Sequence, residues 1–181
     1  MYGVQNEFNW LTRFRPQWAI SLYLCLLVVG CSNSQPPANT NQKRGVTSTG
    51  VVKATPVAAT VTRGESGDAI VRLKIDTGYH VNANPPSFSY LIATELDLTP
   101  AAGISVDFLT YPTGLTKKFS FSDQPLAVYE GETDLKVRLS AAKSAQPGEH
   151  NLSGKLRVQA CDDQVCYAPG TMDLTLPVTV K

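Results

Sequence analysis

Leu156-Arg-Val-Gln-Ala-Cys161-Asp-Asp-Gln-Val-Cys166-Tyr-Ala-Pro169 carries the pattern on which the reading of this chain turns. Leu156, Val158 and Ala160 alternate with Arg157 and Gln159, and two cysteines follow with four residues between them. A period of two places one side-chain set in a core and the other in water. The same alternation recurs outward in both directions. Val71, Leu73 and Ile75 alternate with Arg72 and Lys74. Ile104, Val106 and Phe108 alternate with Ser105 and Asp107. Leu135, Val137 and Leu139 alternate with Lys136, Arg138 and Ser140. Leu174, Leu176, Val178 and Val180 alternate with Thr175 and Thr179. Asp76-Thr-Gly78, Pro100-Ala-Ala-Gly103, Glu130-Gly131 and Gln146-Pro-Gly148 supply turn chemistry between the runs. No helical stripe spans the region, so the expectation is an all-β antiparallel sandwich.

The first thirty residues have a different character. Arg13 and Arg15 precede an apolar run from Trp18 to Gly30, too short for the roughly 20 residues that span a bilayer. A positive flank, a short apolar core and a small residue at its end read as an export signal over residues 1–30. Val28-Val-Gly-Cys31 resembles a bacterial lipobox, which makes Cys31 the expected lipidation site and the membrane the expected anchor. Ser32 after that cysteine leans toward the outer membrane by the sorting rule of enterobacteria-like cells. Residues 31–50 then read as a lipidated cysteine and a flexible tether, being rich in Ser, Asn, Gln, Pro and Thr. About 20 such residues reach ~25 Å. Residues 51–181 are the size of one domain.

Charge points to no partner. Of 16 basic and 15 acidic residues, Arg13, Arg15 and Glu7 leave with the signal, so the mature chain holds 14 of each. Nothing in that balance calls for nucleic acid or an acidic substrate. No nucleophile elbow or catalytic histidine motif supports a hydrolase.

Cysteine arithmetic is more informative. Cys25 lies in the signal and Cys31 in the lipobox, which leaves Cys161 and Cys166 to pair with each other or with a partner. In an exported protein three readings stand. A staple is one, although a bridge that closes so small a loop adds little stability. A zinc site is another, but His80 and His150 are distant in sequence and Asp162 and Asp163 are unusual companions for it; no metal is expected. The third is redox exchange. Asp162 and Asp163 beside the sulfurs disfavour thiolate and raise the thiol pKa, which slows reaction with unselected disulfides.

Three segments in order go further: Gly78-Tyr-His-Val-Asn-Ala-Asn-Pro-Pro-Ser87 with Tyr90-Leu-Ile-Ala-Thr-Glu-Leu96; Tyr111-Pro-Thr-Gly114 with Phe119-Ser-Phe121 and Val128-Tyr-Glu-Gly131; and Gln159-Ala-Cys161-Asp-Asp-Gln-Val-Cys166-Tyr-Ala-Pro169. Together they resemble the N-terminal periplasmic domain of the thiol:disulfide interchange protein DsbD, over essentially all of residues 51–181. The resemblance implies an immunoglobulin-like β-sandwich with redox cysteines on a hairpin. It implies exchange of electrons with thioredoxin-like partners, as part of protein-disulfide reductase chemistry, with the disulfide itself in place of any cofactor. By position, Cys166 would form mixed disulfides and Cys161 would resolve them. A cap loop over residues 117–124 would shield them, with Phe119 or Phe121 as the shield and Tyr167 stacking or packing beside the bridge. His80 and Asn82 are expected to pack rather than carry protons.

Ala168 departs from the resemblance, since a second proline is common there, and the cysteine spacing is one residue tighter than in the best-known members. A full DsbD adds an eight-helix electron-transporting segment and a thioredoxin-like domain. Neither pattern occurs in these 181 residues, so a separate membrane electron transporter or a thioredoxin-like periplasmic protein is the expected donor. Cytochrome c maturation and disulfide isomerisation are both routes open to the family. The rival reading, from another class, is a tethered binding or scaffold domain whose disulfide never turns over.

Overall fold

The structure, a computed structural model, describes residues 45–181. The signal, Cys25, Cys31, Ser32 and most of the tether lie outside the described residues. The described chain forms twelve strands and no helix: β1 (Val52–Val57), β2 (Ala59–Val61), β3 (Ser66–Ile75), β4 (His80–Asn82), β5 (Glu95–Leu98), β6 (Ile104–Thr110), β7 (Leu115–Lys117), β8 (Leu126–Tyr129), β9 (Glu132–Ala141), β10 (Gly148–Val158), β11 (Ala160–Cys161) and β12 (Gly170–Val180).

Two four-stranded sheets, β1-β3-β9-β6 and β2-β12-β10-β5, supply most of the core, and a third, β11-β4-β8-β7, carries the cysteine hairpin. The alternating sets point inward as expected. Leu73, Leu135, Val137, Leu139, Leu156, Val158 and Leu176 are all fully buried in one cluster. Pairing is antiparallel except between β2 and β12, which run parallel from Val178↔Ala59 to Val180↔Val61. This exception arises because the first stretch of the domain leaves one sheet after Val57 and joins the other at Ala59. Such a switch leaves each sheet edged by a piece of one continuous segment.

Two expectations need correction. Phe108, read as an inward residue of its strand, is 59% exposed. The β6–β9 register shifts between Val106 and Phe108, so Phe108 opposes outward Arg138 and Leu109 takes the inward place opposite Val137. A β-bulge adds one residue and reverses the alternation beyond it. The tether, expected to run to Gly50, ends earlier. Val46 packs on the core, Ser48 is buried, and Gly50 N–H donates to Thr47 O in a turn that leads into β1. Ser48 is polar, but it is held by backbone partners in the domain, which composition does not register.

Candidate redox site

β10 and β12 form the longest ladder, eleven pairs from Gly148↔Val180 to Val158↔Gly170. The connection at its end holds both cysteines. Cys161 and Cys166 are joined by a disulfide, with their Cα atoms 3.9 Å apart. Cys161 is fully buried, whereas Cys166 is partly exposed. The two sulfurs are therefore unequal: one meets the surface and its partner is enclosed.

The hairpin is held by its own polar atoms. Asp162 Oδ1 accepts from the N–H groups of Gln164 and Val165, at 2.9 and 3.0 Å. Tyr167 donates its hydroxyl to Asp162 Oδ2 at 2.8 Å, and Tyr167 N–H reaches Ala160 O. Aspartate is suited to this place because its short carboxylate can bond backbone two and three residues on. Asp162 thus folds the loop in addition to placing charge near the sulfurs. Burial and the Asp162 bond push the Tyr167 hydroxyl pKa well above its ordinary value, so it remains a donor. Asp163 differs: its side chain is exposed, and its carbonyl oxygen accepts from Ser120 Oγ at 2.7 Å.

That last bond ties the 117–124 loop to the cysteine hairpin. Phe119 is buried against Leu126 and Val128, and its ring stacks on His80 with centroids 4.0 Å apart. Phe121 stacks outside Phe119 at 5.3 Å and stays partly exposed. The two phenylalanines have different places. Phe119 is the inner ring, over the histidine that opposes Cys161 in the β11–β4 register. Phe121 lines an open groove of about 340 Å³ together with Tyr90, Leu91, Gln164 and Cys166.

Sequence reasoning set His80 aside, yet the fold brings it to the centre. Its ring is buried, and Nε2 has no hydrogen-bond partner among the described residues. Burial lowers its pKa to about 4; Glu130, Asp163 and Asp162 pull it upward, and Lys117 adds to the lowering. Asn82 and Gln159 were passed over as well. Asn82 Nδ2 donates to Gln159 Oε1 and Ile92 O, and Gln159 Nε2 donates to Tyr167 O. This network fastens the loop after β4 to the cysteine hairpin. Ser48 spans the two legs of the hairpin, donating to Ala168 O at 2.6 Å and accepting from Ala160 N–H at 2.9 Å. The sequence signal for these residues is faint, because each acts on a segment 77 to 120 positions away.

The other matched segments acquire physical reasons. Tyr129 donates its hydroxyl to Pro112 O and accepts from Asn84 N–H, joining the first and second segments. Gly114 is needed where it stands, since a Cβ there would lie 2.6 Å from Ala83 Cβ and 3.1 Å from Val128 N.

The sequence profile described as "Thiol:disulfide interchange protein DsbD, N-terminal" matches residues 49–177. The chain belongs to the DsbD N-terminal domain family. Its fold is accordingly that family's immunoglobulin-like sandwich. A comparison with curated proteins finds no match. Among solved structures, the N-terminal periplasmic domain of ScsB from Proteus mirabilis is similar at 17% identity and a TM-score of 0.46, covering 71% of this chain and 45% of that one. The chain thus spans less than half the length of that structure. AggA, the major subunit of aggregative adherence fimbriae type I from Escherichia coli, is similar at 12% identity and a TM-score of 0.30, covering 72% of this chain and 95% of that one. Scores this low carry no argument about function.

Two outcomes follow from the polar anchoring. Ser48→Ala leaves Ala160 N–H and Ala168 O without their partner, at a cost of about 1–3 kcal/mol, to be read from denaturant unfolding of the oxidised protein. His80 has a folded pKa below its ordinary value of 6.5. The unfolded chain therefore binds the extra proton first, and the stability that neutral His80 contributes falls as pH drops from about 6.5 to about 4. Unfolding midpoints across that window should decline in the native protein and decline less in His80→Phe.

Proposed function

We propose that this domain exchanges two electrons with thioredoxin-like proteins of the periplasm through Cys161 and Cys166, held near a membrane by a lipid on Cys31. The observation that carries the reading is the inequality of the two sulfurs in a family that performs this exchange: Cys166 borders an open, aromatic-edged groove, and Cys161 is enclosed. A thiolate needs access to the sulfur it attacks. A partner thiolate can approach Cys166, form a mixed disulfide there and release Cys161. In the opposite direction the Cys166 thiolate attacks a partner disulfide, and Cys161 then closes the intramolecular bridge. Each full cycle moves two electrons and two protons between one dithiol and one disulfide, with no further oxidant or reductant.

The cap fits this use. Phe121 stands beside the groove, and Ser120 fastens the loop to the hairpin by one hydrogen bond. One exposed bond can break and reform at small cost, so the loop can shield the bridge from small thiols and yield to a protein partner. A lipid on Cys31 and the tether would serve the same reading by keeping the module near a membrane source of electrons. Export through the 1–30 signal would place it in a compartment where disulfides persist.

The reduction potential separates this function from that of a binding domain with a static bridge. A potential above about −300 mV is expected for a bridge that turns over; structural disulfides lie below that value. A Cys161→Ala chain should accumulate a mixed disulfide through Cys166 with a reduced-to-oxidised cycling thioredoxin-like protein. A far more reducing bridge with no adduct would leave the static reading in place. Removing the shield is an independent check: Phe119→Ala or Phe121→Ala should raise the rate of reduction by dithiothreitol severalfold. An unchanged rate in both variants would count against a shielded redox centre.

A further inference from the structure

Three features converge on His80, which the exchange chemistry above leaves unused. It is paired directly with Cys161 across β4 and β11. Directly opposed residues share a face, with β-carbons about 4.5–5.5 Å apart. Its Nε2 is buried and has no hydrogen-bond partner among the described residues, a condition native proteins seldom leave without a use. His80 also lines a second open groove, of about 280 Å³, with Asp76, Tyr79, Lys117, Glu130 and Asp163. That groove shares no lining residue with the one at Cys166. His80 therefore opposes an enclosed cysteine across the strand pair and lines a groove open to water.

We propose that His80 is the general base that deprotonates Cys161 when the dithiol closes, returning the proton to water through the groove edged by Lys117 and Glu130. The proposal rests on the exchange reading above and deepens it. In the Nδ1–H tautomer, Nε2 presents a lone pair. The Cys161 thiol gives its proton to Nε2, and the sulfur attacks Cys166 Sγ of the mixed disulfide. The Cys161–Cys166 bond forms and the bond from Cys166 to the partner sulfur breaks. The partner sulfur leaves with the electron pair as a thiolate and is protonated by water. His80 then releases its proton to the groove. One thiol has replaced another, and the atoms and charge balance.

The need for a base follows from burial. Cys161 is fully enclosed, and an apolar surrounding disfavours a thiolate. The groups around the imidazole are suited to reversible uptake. Burial and Lys117 oppose its cation, while Glu130, Asp163 and Asp162 favour it. A Cys161 thiolate adds one more negative neighbour at the moment the proton arrives. The cation is thus stabilised while the thiolate exists and is disfavoured once the disulfide has formed. The stack on Phe119 holds the ring plane in the meantime.

The test uses the full reduced chain in mild detergent, with oxidised glutathione as the probe. Acid quenching and mass measurement follow the glutathione adduct on Cys166 as it converts to the internal disulfide, between pH 6 and 9. The native chain should close at a rate nearly independent of pH near neutrality. His80→Gln and His80→Phe should close about 100-fold more slowly at pH 7, within the range of general-base effects. Their rates should climb about tenfold per pH unit as free thiolate takes over. The phenylalanine keeps a ring for Phe119 to stack on, so a packing role would be rescued by it and a base would not. A native rate and pH profile in His80→Phe, or in His80→Gln where the other variant does not fold, overturns the proposal. Failure of the exchange reading registers separately, as the absence of any Cys166 adduct in Cys161→Ala, and removes this proposal with it.

Discussion

The β10–β12 ladder is the constraint from which the site follows. Eleven paired residues bring Val158 and Gly170 together, so the chain between them must turn within a short distance. Asp162 makes that turn possible by accepting from two backbone N–H groups and the Tyr167 hydroxyl. Once the turn is made, Cys161 continues inward beside β4 and Cys166 comes back at the surface. The asymmetry between the sulfurs is a product of strand pairing more than of the chemistry of either cysteine.

The same arrangement explains why distant segments belong to one site. Ser48 reaches the hairpin from ahead of β1, Asn82 and Gln159 bind the loop after β4 to it, and Ser120 brings the cap. Each contributes a hydrogen bond whose partner is backbone or a fixed amide. Buried polar groups of this kind are costly when unpaired, so the network favours one geometry over near alternatives. Nε2 of His80 and Oδ1 of Asn82 are the two buried side-chain atoms left without a partner among the described residues. The nitrogen belongs to the residue that opposes Cys161 in the β11–β4 register.

Function and stability meet at the cap. Phe119 belongs to a small apolar cluster with Leu126 and Val128 while its face lies on His80. Core packing and the stack on His80 therefore coexist in this residue. Phe121, two residues on in the same loop, is the ring that borders the groove at Cys166. A partner that displaces Phe121 would loosen the stack without removing Phe119 from its cluster.

The sequence by itself determined the all-β class, most of the inward residues, the cysteine pair and the family. Those follow from local periodicity and from motifs that survive in linear order. Leu135, Val137 and Leu139 alternate and are buried because a strand offers its side chains only two directions. Only the tertiary structure decided that Phe108 faces water, since a bulge is a property of two strands in register. It also decided that Ser48 belongs to the domain and that His80 stands opposite Cys161. Strand pairing joins residues about 80 positions apart, and no local pattern records which residue will lie across from which.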